Sequence, residues 1–566
     1  MSDTPHPADE SLTASGAPLL SKLCGGDLEL SNFILGPDLL GDTTYRASRA
    51  LLHEFEGVPG RGYRESSLSS AGSLAAGRAE GSEPDGSSQD WGRKFLFNGG
   101  CAYVDLNHLE VCLPEVLSAR DHVAASHAMY QLAHRAARAA SARLPAGQKI
   151  QVLANNSDGL GHSFGSHLNV YLSRPAWENI FHRRLHYQLF LASYQASSLV
   201  FTGLGKVGSE NGTPAVSYQL SQRADFCEML AGAHTTHERP IVNMRDEPLC
   251  GGWGLRRSGP GQARLHVIFY DHNLCHVAGL LKIGVLQIIV AMIEAGQVST
   301  QLLLEDPVGA VVRWSHDPSL QARATLMDGR ERTAVELQLQ FLQSARRFVE
   351  SGACDEVVPH AAEIVELWAD TLEKLQRGDL AALAPRLDWV LKLASLQNAL
   401  RQRPALNWQS PELKHLDHLY SSLDPAEGLY WGYARGGFVQ ELVTEREVTR
   451  LITAPPTNTR AWTRATLLLM AEPAEVDWVD WDFLRFRLQD PIRGHSRYFS
   501  VHLDDPLRWT RDEAQQRFPH ARRLPEALGA LEAVEEFPSR TDSTKTASVV
   551  ITTRRADQER RPYDIP

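Results

Sequence analysis

Acidic residues are concentrated in two segments, and in the first of them they lie two residues apart, the spacing that places alternate side chains on one face of a β-strand. The first segment carries Asp27 and Glu29, and the second carries Asp105 and, five residues later, Glu110. Crowded carboxylates repel each other unless a hard cation lies between them, and Mg²⁺ is normally held by one or two carboxylates together with nucleotide phosphates. The pattern indicates a metal and nucleotide site, although solvated acids on an open sheet face would produce it too.

A glycine-rich segment offers a second, weaker indication of phosphate binding. Residues Gly203 to Gly208 match G-x-G-x-x-G and follow Ser198 to Thr202, a short apolar run that predicts a strand. Gly212 and Pro214 prevent the helix that a dinucleotide-binding fold requires after this motif. The loop could still present backbone N–H groups and Lys206 to a phosphate. None of the 22 histidines lies in an H-E-x-x-H or Cys/His zinc spacing, so the sequence gives little support for zinc.

The elements that would position these residues alternate between short strands and longer helices. Strands are predicted in four places: Lys149 to Leu153, His167 to Leu172, Ser198 to Thr202 and Leu265 to Tyr270. Helices are predicted in six: Arg120 to Leu144, Trp177 to Ala196, Val277 to Ala295, Thr333 to Glu350, His360 to Gln376 and Pro385 to Leu400. Because strands come early and helices late, the pattern favours an α+β fold over a regular βαβ array.

Composition suggests how the chain divides. We predict a large catalytic domain over residues 19–436 and a smaller C-terminal domain over 437–538. Residues 1–18, 60–90 and 539–566 are predicted to be a disordered leader, a flexible inserted loop and a disordered tail. These segments hold too few apolar side chains to offset the entropy lost on ordering.

Charge and cysteine usage narrow the function classes. The 566 residues carry a formal net charge of −11, which argues against attraction to nucleic acid or anionic lipid. Seven cysteines without a C-x-x-C spacing indicate reduced thiols, and no signal peptide is evident, so a cytoplasmic location is predicted. The most apolar stretch, Gly279 to Gly296, contains Lys282, Gln287 and Glu294 and therefore predicts a buried helix instead of a membrane span.

Many ordered motifs over residues 22–510 resemble the Pup ligase and depupylase family, carboxylate-amine ligase relatives of glutamine synthetase. These enzymes act on the C-terminal glutamate or glutamine of the small protein Pup. The matching motifs include Asn98 to Asp105, Pro114-Glu115, Asn155 to Gly159, Gly165 to Asn169, Ser221 to Phe226, Asn243 to Pro248, Leu387 to Val390 and Thr459 to Trp462.

The resemblance implies a glutamine-synthetase-like antiparallel sheet cradle packed with helices, with ATP and Mg²⁺ as cofactors. It places Asp105 on the catalytic aspartate and Trp481 near the family's nucleotide-binding tryptophan. The implied metal ligands are Asp27, Glu29, Tyr103, Glu110 and His167. Arg223, Arg239 and Arg245 are candidates for binding phosphate or carboxylate because guanidinium groups bind these anions in a bidentate manner, although ordinary ion pairs explain each of them equally well.

Sequence details are closer to the depupylase than to the ligase. The flexible segment 60–90 precedes the Asn98 motif, where the resemblance to depupylases implies an inserted loop, and the step from Asp105 to Glu110 matches the depupylase pattern. Several positions depart from the family. Asp27 replaces a glutamate, Cys101 an ATP-contacting arginine, Leu168 a glutamate and Leu249 a histidine, and Ser421-Ser422 replaces His-Asp.

We therefore predict an ATP- and Mg²⁺-dependent depupylase-like amidase or isopeptidase. Its substrate would be the C-terminal Glu or Gln linkage of a small acidic, Pup-like protein modifier, and the resemblance implies a link to a proteasome system. A carboxylate-amine ligase that joins a glutamate to a lysine or amine is the first alternative. A catalytically inactive protein that binds the modifier is the second, because Cys101, Leu168 and Leu249 depart from the family pattern.

Overall fold

The computed structural model describes residues 19–60, 93–250, 261–490, 494–531 and 534–536. The predicted leader 1–18 and tail 539–566, and all but the first residue of the predicted loop 60–90, lie outside these residues. Strands β1 to β18 span Cys24–Leu35, Gly57–Pro59, Lys94–Leu96, Cys101–Asp105, His108–Cys112, Lys149–Leu153, Ser166–Ser173, Lys206–Val207, Tyr218–Gln219, Met229–Gly232, Pro240–Asn243, Gln262–Val267, Ala324–Thr325, Glu331–Arg332, Val476–Val479, Phe483–Gln489, Ser496–His502 and Val534–Glu536.

Helices α1 to α16 span Thr43–Glu54, Ala119–Ser141, Arg174–Glu178, Leu185–Thr202, His276–Glu294, Pro307–Ser315, Ala334–Glu350, Ala361–Arg377, Leu380–Leu383, Asp388–Gln402, Pro411–Tyr420, Leu429–Arg435, Glu445–Thr453, Ala461–Met470, Arg511–Arg517 and Leu524–Ala530. A π-helical turn, Asn179–Arg183, links α3 to α4.

The centre of the fold is an antiparallel sheet in the order β12-β7-β1-β5-β4-β3-β2, with β6 also paired to β1. Alternate residues of each strand face opposite sides. Leu28, Leu109 and Leu168 point into the hydrophobic core beneath the sheet, whereas the acidic residues occupy the intervening positions. The predicted α+β fold with an antiparallel sheet packed with helices is confirmed.

Helix α5 lies in the core under the sheet. By length and composition it could cross a membrane, but 89% of the stretch is buried inside the fold. The prediction of a buried helix at this position is confirmed, because the lysine and glutamine that interrupt its apolar sequence are bonded inside the protein: Lys282 donates to the carbonyl of Asp271 (2.8 Å) and Gln287 to that of Leu117 (2.9 Å).

One predicted strand is wrong. Ser198 to Thr202 forms the last turn of α4 and is buried on all sides. A short apolar run reads alike in a buried strand and a buried helix, because neither has a solvent-facing side that would reveal its period.

A smaller core is formed by the four-stranded sheet β15 to β18 with helices α14 to α16. It also includes Phe95, Cys101 and Cys112 from the large sheet. Val439 to Ile452 contributes to the larger core instead. A domain boundary at residue 437 stays a prediction; in the C-terminal part of the chain, the described residues that pack into the smaller core come after residue 452.

Candidate active site

The acidic residues and their neighbours meet on one face of the large sheet because of the register between four strands. Glu29 on β1 lies opposite Glu110 on β5, and Glu110 lies opposite Tyr103 on β4. Asp27 is two residues before Glu29 on the same face and pairs with His167 on β7. The period-two spacing therefore becomes a surface of oxygen ligands contributed by neighbouring strands.

These residues form two overlapping groups of potential metal ligands. One consists of Asp27, Glu110 and His167, and the other of Glu29, Asp105 and Glu110. In each group the ligand atoms lie within 4.8 Å of one another, and Glu110 belongs to both. The fold thus brings together all five of the residues that the sequence proposed as metal ligands, since the Tyr103 hydroxyl donates a hydrogen bond to Glu110, and it adds the proposed catalytic aspartate.

The electrostatics of this cluster are unbalanced. Glu110 is only 3% exposed, and burial, followed by the charges of Glu29, Asp27 and Asp105, raises its pKa well above the usual range of a carboxyl. Burial would also raise the pKa of Glu29, but His167, Arg223 and the Gly165 N–H outweigh this effect and hold it lower. Without a cation, the cluster therefore holds a proton on Glu110 more tightly than an isolated carboxyl would.

The donor set fits Mg²⁺. Carboxylate oxygens predominate in both groups, the only nitrogen donor within them is the imidazole of His167, and hard oxygen ligands are the ones that Mg²⁺ prefers. The crowding that raises the pKa of Glu110 is the repulsion that a divalent cation would relieve.

A chain of polar side chains orients Asp27, and sequence reasoning did not find it. The Asn169 amide donates to Asp27 Oδ2 (3.0 Å), and Arg264 Nη1 donates to the amide oxygen of Asn169 (2.7 Å). Arg264 in turn donates through Nε to the carbonyl of Glu247 (2.6 Å). Asn169 lies two residues after His167, so the same period-two rule that identified the acids would have placed it on this face.

A strained turn positions Asp105. Leu106 and Asn107, which connect β4 to β5, have φ angles of 44° and 71°. A two-residue hairpin with both φ values positive is a type I′ turn, which normally uses Asn or Gly and disfavours leucine. Asn32 supports the turn, because its amide donates to the Asn107 carbonyl (3.1 Å) and its oxygen accepts from the N–H of Leu109 (2.6 Å). Backbone strain that neighbouring contacts maintain is common at functional sites.

A cleft of about 960 Å³ opens beside the cluster. Glu29, Asp105 and His167 line it together with Arg223 and Arg239. Arg223 is 4% exposed, and Nη1 of both arginines has no hydrogen-bond partner among the described residues. Burial lowers the pKa of both guanidinium groups, that of Arg239 to about 10. Buried donors without partners in a cleft indicate an anion site.

Three of the sequence candidates lie elsewhere. Lys206 is 3% exposed and donates to Glu210 and Asp225, at 2.9 Å each. Its ammonium group is therefore already paired with two carboxylates, and Lys206 is not among the residues that line the cleft. Arg245 lies near Glu247, with 3.8 Å between Nε and Oε1, and is not among the residues that line the cleft.

Trp481 belongs to the smaller core. Its ring packs edge-on against Phe95, with centroids 5.5 Å apart, and the Arg464 guanidinium lies 4.8 Å from its ring centroid. The same core contacts Tyr103 of the acidic face. The tryptophan is therefore on the side of the acidic cluster that faces the C-terminal sheet, and its role in nucleotide binding stays a prediction.

Arg93 is a cation that the sequence did not single out. Its guanidinium lies 4.6 Å from the ring centroid of Tyr103 and is attracted by the carboxylate of Asp480. Cys101 itself is fully buried, and burial raises the pKa of its thiol to about 12, so it stays neutral. The guanidinium of Arg93 therefore lies near Cys101, the position where the family resemblance implies an arginine.

The departure at Leu168 has no effect on the charge of this face. Leu168 is fully buried in the core, whereas its neighbour His167 pairs with Asp27 across the strands and Asn169 donates to the Asp27 carboxylate. Leu249 packs against the smaller core, and its carbonyl accepts a hydrogen bond from Arg460 (2.8 Å).

Comparison with known proteins identifies the family. The Pup-ligase protein family matches residues 47–485. A depupylase of Acidothermus cellulolyticus is 36% identical over 439 residues, covering 77% of this chain and 83% of the relative. A Pup–protein ligase of Micrococcus luteus is also 36% identical, over 411 residues covering 70% of this chain and 84% of the relative. The chain belongs to the Pup-ligase family, and the resemblance seen in its sequence is confirmed.

Solved structures agree on the fold. The complex between prokaryotic ubiquitin-like protein Pup and its ligase PafA matches with a TM-score of 0.69 at 22% identity, covering 88% of this chain and 90% of that one. The Pup ligase PafA in complex with ADP matches with a TM-score of 0.63 at 25% identity, covering 75% and 88%.

Proposed function

We propose that this protein is an ATP- and Mg²⁺-dependent depupylase-like amidase or isopeptidase. It would hydrolyse the linkage formed by the C-terminal Glu or Gln of a Pup-like modifier. The similarity to a relative named depupylase supports this proposal, as does the five-residue step between Asp105 and Glu110.

The observation that carries the proposal is the position of Asp105. Its carboxylate belongs to one of the two metal-ligand groups, and the residue lines the cleft that also holds Arg223 and Arg239. Asp105 thus belongs both to the face that can hold cations and to the lining of the cleft that can hold a substrate.

The two ligand groups would hold Mg²⁺, and Trp481 and Arg93 would flank a nucleotide on the side of the C-terminal sheet. When bound, Mg²⁺ with the nucleotide phosphates would neutralise the crowded carboxylates and polarise the scissile carbonyl. The relative whose solved structure contains ADP supports this assignment of the cofactor.

The residues of the chain have distinct tasks in this scheme. Asp105 either attacks the carbonyl carbon or takes a proton from the water that attacks it. Arg223 and Arg239 bind the carboxylate of the substrate or a phosphate through their unpartnered Nη1 donors. The strained turn at Leu106 restricts the backbone beside Asp105, which limits the orientations that its carboxylate can adopt.

The substrate we propose is acidic, small and conjugated to other proteins, and a proteasome would be the destination of those conjugates. The structural neighbour that contains Pup supports this choice of partner. We also propose a cytoplasmic location, because all seven cysteines are free thiols.

A ligase is the second candidate, since the relative from Micrococcus luteus named Pup–protein ligase is equally similar at 36% identity. Incubation with ATP separates the two functions. A ligase forms one ADP for each product molecule, whereas a hydrolase turns over many substrates on one bound nucleotide.

Asp105→Asn tests the catalytic assignment. We expect turnover to fall by about 10²- to 10⁴-fold, the contribution of a positioned acid or base, while affinity for Mg·ATP stays within a few-fold. Asp158→Asn is the matched control, because Asp158 lines the same cleft but lies outside both ligand groups and contacts His162 Nδ1 at 2.7 Å. Undiminished turnover in Asp105→Asn would overturn the assignment. Absence of Mg·ATP binding in calorimetry would remove both enzyme functions and favour the modifier-binding protein.

A further inference from the structure

A second group of metal-ligating side chains lies on the loop between β10 and β11. His234, His237 and Glu238 each place one ligand atom within 4.8 Å of the other two. The two imidazole rings are 4.5 Å apart between centroids. All three residues are exposed, so an ion can reach them directly.

We propose that this loop binds one Zn²⁺ ion through His234, His237 and Glu238. Two imidazoles and a carboxylate suit Zn²⁺ better than Mg²⁺, which selects oxygen ligands. Zinc bonds of about 2.0–2.2 Å place tetrahedral ligand atoms roughly 3.3–3.6 Å apart. Exposed side chains reach that separation from 4.8 Å by small rotations. The fourth coordination position remains open to water or to a carboxylate of the substrate.

Two local features support the ligand geometry. Thr236 Oγ1 lies 3.2 Å from Nδ1 of His237, so this contact engages Nδ1 and leaves Nε2 as the nitrogen available to an ion; such outer partners orient most metal-binding histidines. Glu238 has a φ of 47°, a left-handed conformation that is uncommon for residues with a side chain. Strained backbone of this kind is found more often at ligand-binding positions than elsewhere.

The site would act on the cleft through Arg239. Thr235, Thr236, His237 and Arg239 all line the cleft. Arg239 Nε donates to the carbonyl of Thr235 (2.8 Å), and Nη2 donates to the carbonyl of Ser163. Because the ligands flank Thr235 and Thr236, a bound ion would fix the segment that holds Arg239. Zn²⁺ is therefore expected to restrict the anion-binding arginine, independently of the carboxylate cluster.

The test is zinc binding by the full chain in the presence of excess Mg²⁺, measured by calorimetry and by X-ray absorption at the zinc edge. We expect one Zn²⁺ coordinated by two imidazoles, and an affinity at least about tenfold lower in His234→Ala and in His237→Ala. His162→Ala is the matched control, because His162 also lines the cleft and is exposed but pairs with Asp158; it should bind zinc like the wild type.

The carboxylate cluster could capture zinc instead, and the spectrum distinguishes the two sites. That cluster offers one imidazole, from His167. A single-imidazole spectrum that persists in His237→Ala would overturn the proposal, as would the absence of zinc binding. Neither result depends on the proposed hydrolase activity.

Discussion

Two buried carboxylates within the same fold, Glu115 and Glu110, have opposite electrostatic surroundings. Glu115 is held by Arg460 Nε at 2.8 Å and by Arg464 Nη2 at 2.6 Å, and both guanidinium groups also donate to backbone carbonyls. Glu110, five residues earlier, shares its surroundings with other carboxylates and, within the part of the chain that the structure describes, accepts a side-chain hydrogen bond from Tyr103.

Their pKa values move in opposite directions. Burial would raise the pKa of Glu115, but Arg464 and Arg460 hold it at about 2. For Glu110 burial and neighbouring acids act together, and its pKa is raised. The fold thus neutralises a buried carboxylate with protein cations where the role is structural. Where carboxylates face each other, as around Glu110, we propose that a cation from solution balances them.

Removing the charge of Glu115 from its group with Arg460 and Arg464 should have the largest effect on stability. Glu115→Gln leaves two buried guanidinium groups without their anion, so the free energy of unfolding should fall by about 3–5 kcal/mol in urea denaturation at neutral pH. Because the pKa of Glu115 is depressed, its stabilising contribution is present above the unfolded value of 4.5 and is lost as the pH falls toward about 2. The difference between variant and wild type should narrow over that range.

An exposed pair provides the control for this variant. Arg120 and Glu447 interact at 2.9 Å with side chains 48% and 34% exposed. Glu447→Gln should cost at most about 1 kcal/mol, because solvent screens exposed ion pairs. Equal losses in the two variants would contradict the structural role of Glu115.

Removing a carboxylate from the cluster around Glu110 should instead increase the free energy of unfolding. Glu110→Gln removes a repelling carboxylate at pH values where wild-type Glu110 is ionised, so without metal and above its raised pKa the variant should gain about 0.5–2 kcal/mol in its free energy of unfolding. The same variant should bind Mg²⁺ at least about tenfold more weakly, because Glu110 belongs to both ligand groups. Loss of stability in metal-free buffer would mean that the carboxylates are balanced by other groups.

The smallest expected effect is the pH dependence of the stabilisation by Mg²⁺. The raised pKa of Glu110 means that the folded state holds this proton more tightly than the unfolded state. Its favourable contribution is therefore complete below 4.5 and is lost as the pH rises through the higher folded value. The increase in Tm caused by Mg²⁺ should grow with pH over that interval, and calorimetry in buffers of different ionisation enthalpy should detect proton release on binding. A pH-independent Tm increase would show that Glu110 is already ionised without metal.

The two-residue period of a strand explains which residues of the acidic face could be predicted from the sequence. Asp27 and Glu29 were recognisable because alternation alone places such residues on one side, whereas Glu110 follows Asp105 by an odd step across a turn. Their juxtaposition depends on register, which the sequence specifies only through the complete sheet. The family resemblance, not spacing, supplied Tyr103 and His167.

Residues that reach the site from distant segments could not be found in this way. Arg264 and Arg93 approach across the sheet and have no local motif. Lys206 has the motif, yet buried carboxylates already hold its ammonium group. Arg460 lies in a motif that matched the family pattern, but only the packing shows that Arg460 and Arg464 both pair with Glu115 beside the smaller core.

The membership of Glu110 in both ligand groups has a consequence for cation loading. A shared carboxylate must surrender its proton only once, so the first ion would cover the cost of deprotonation for the second. Occupancy of the two positions would then be thermodynamically linked, and the protein would pass from empty to doubly loaded over a narrower range of Mg²⁺ concentration than two separate sites would.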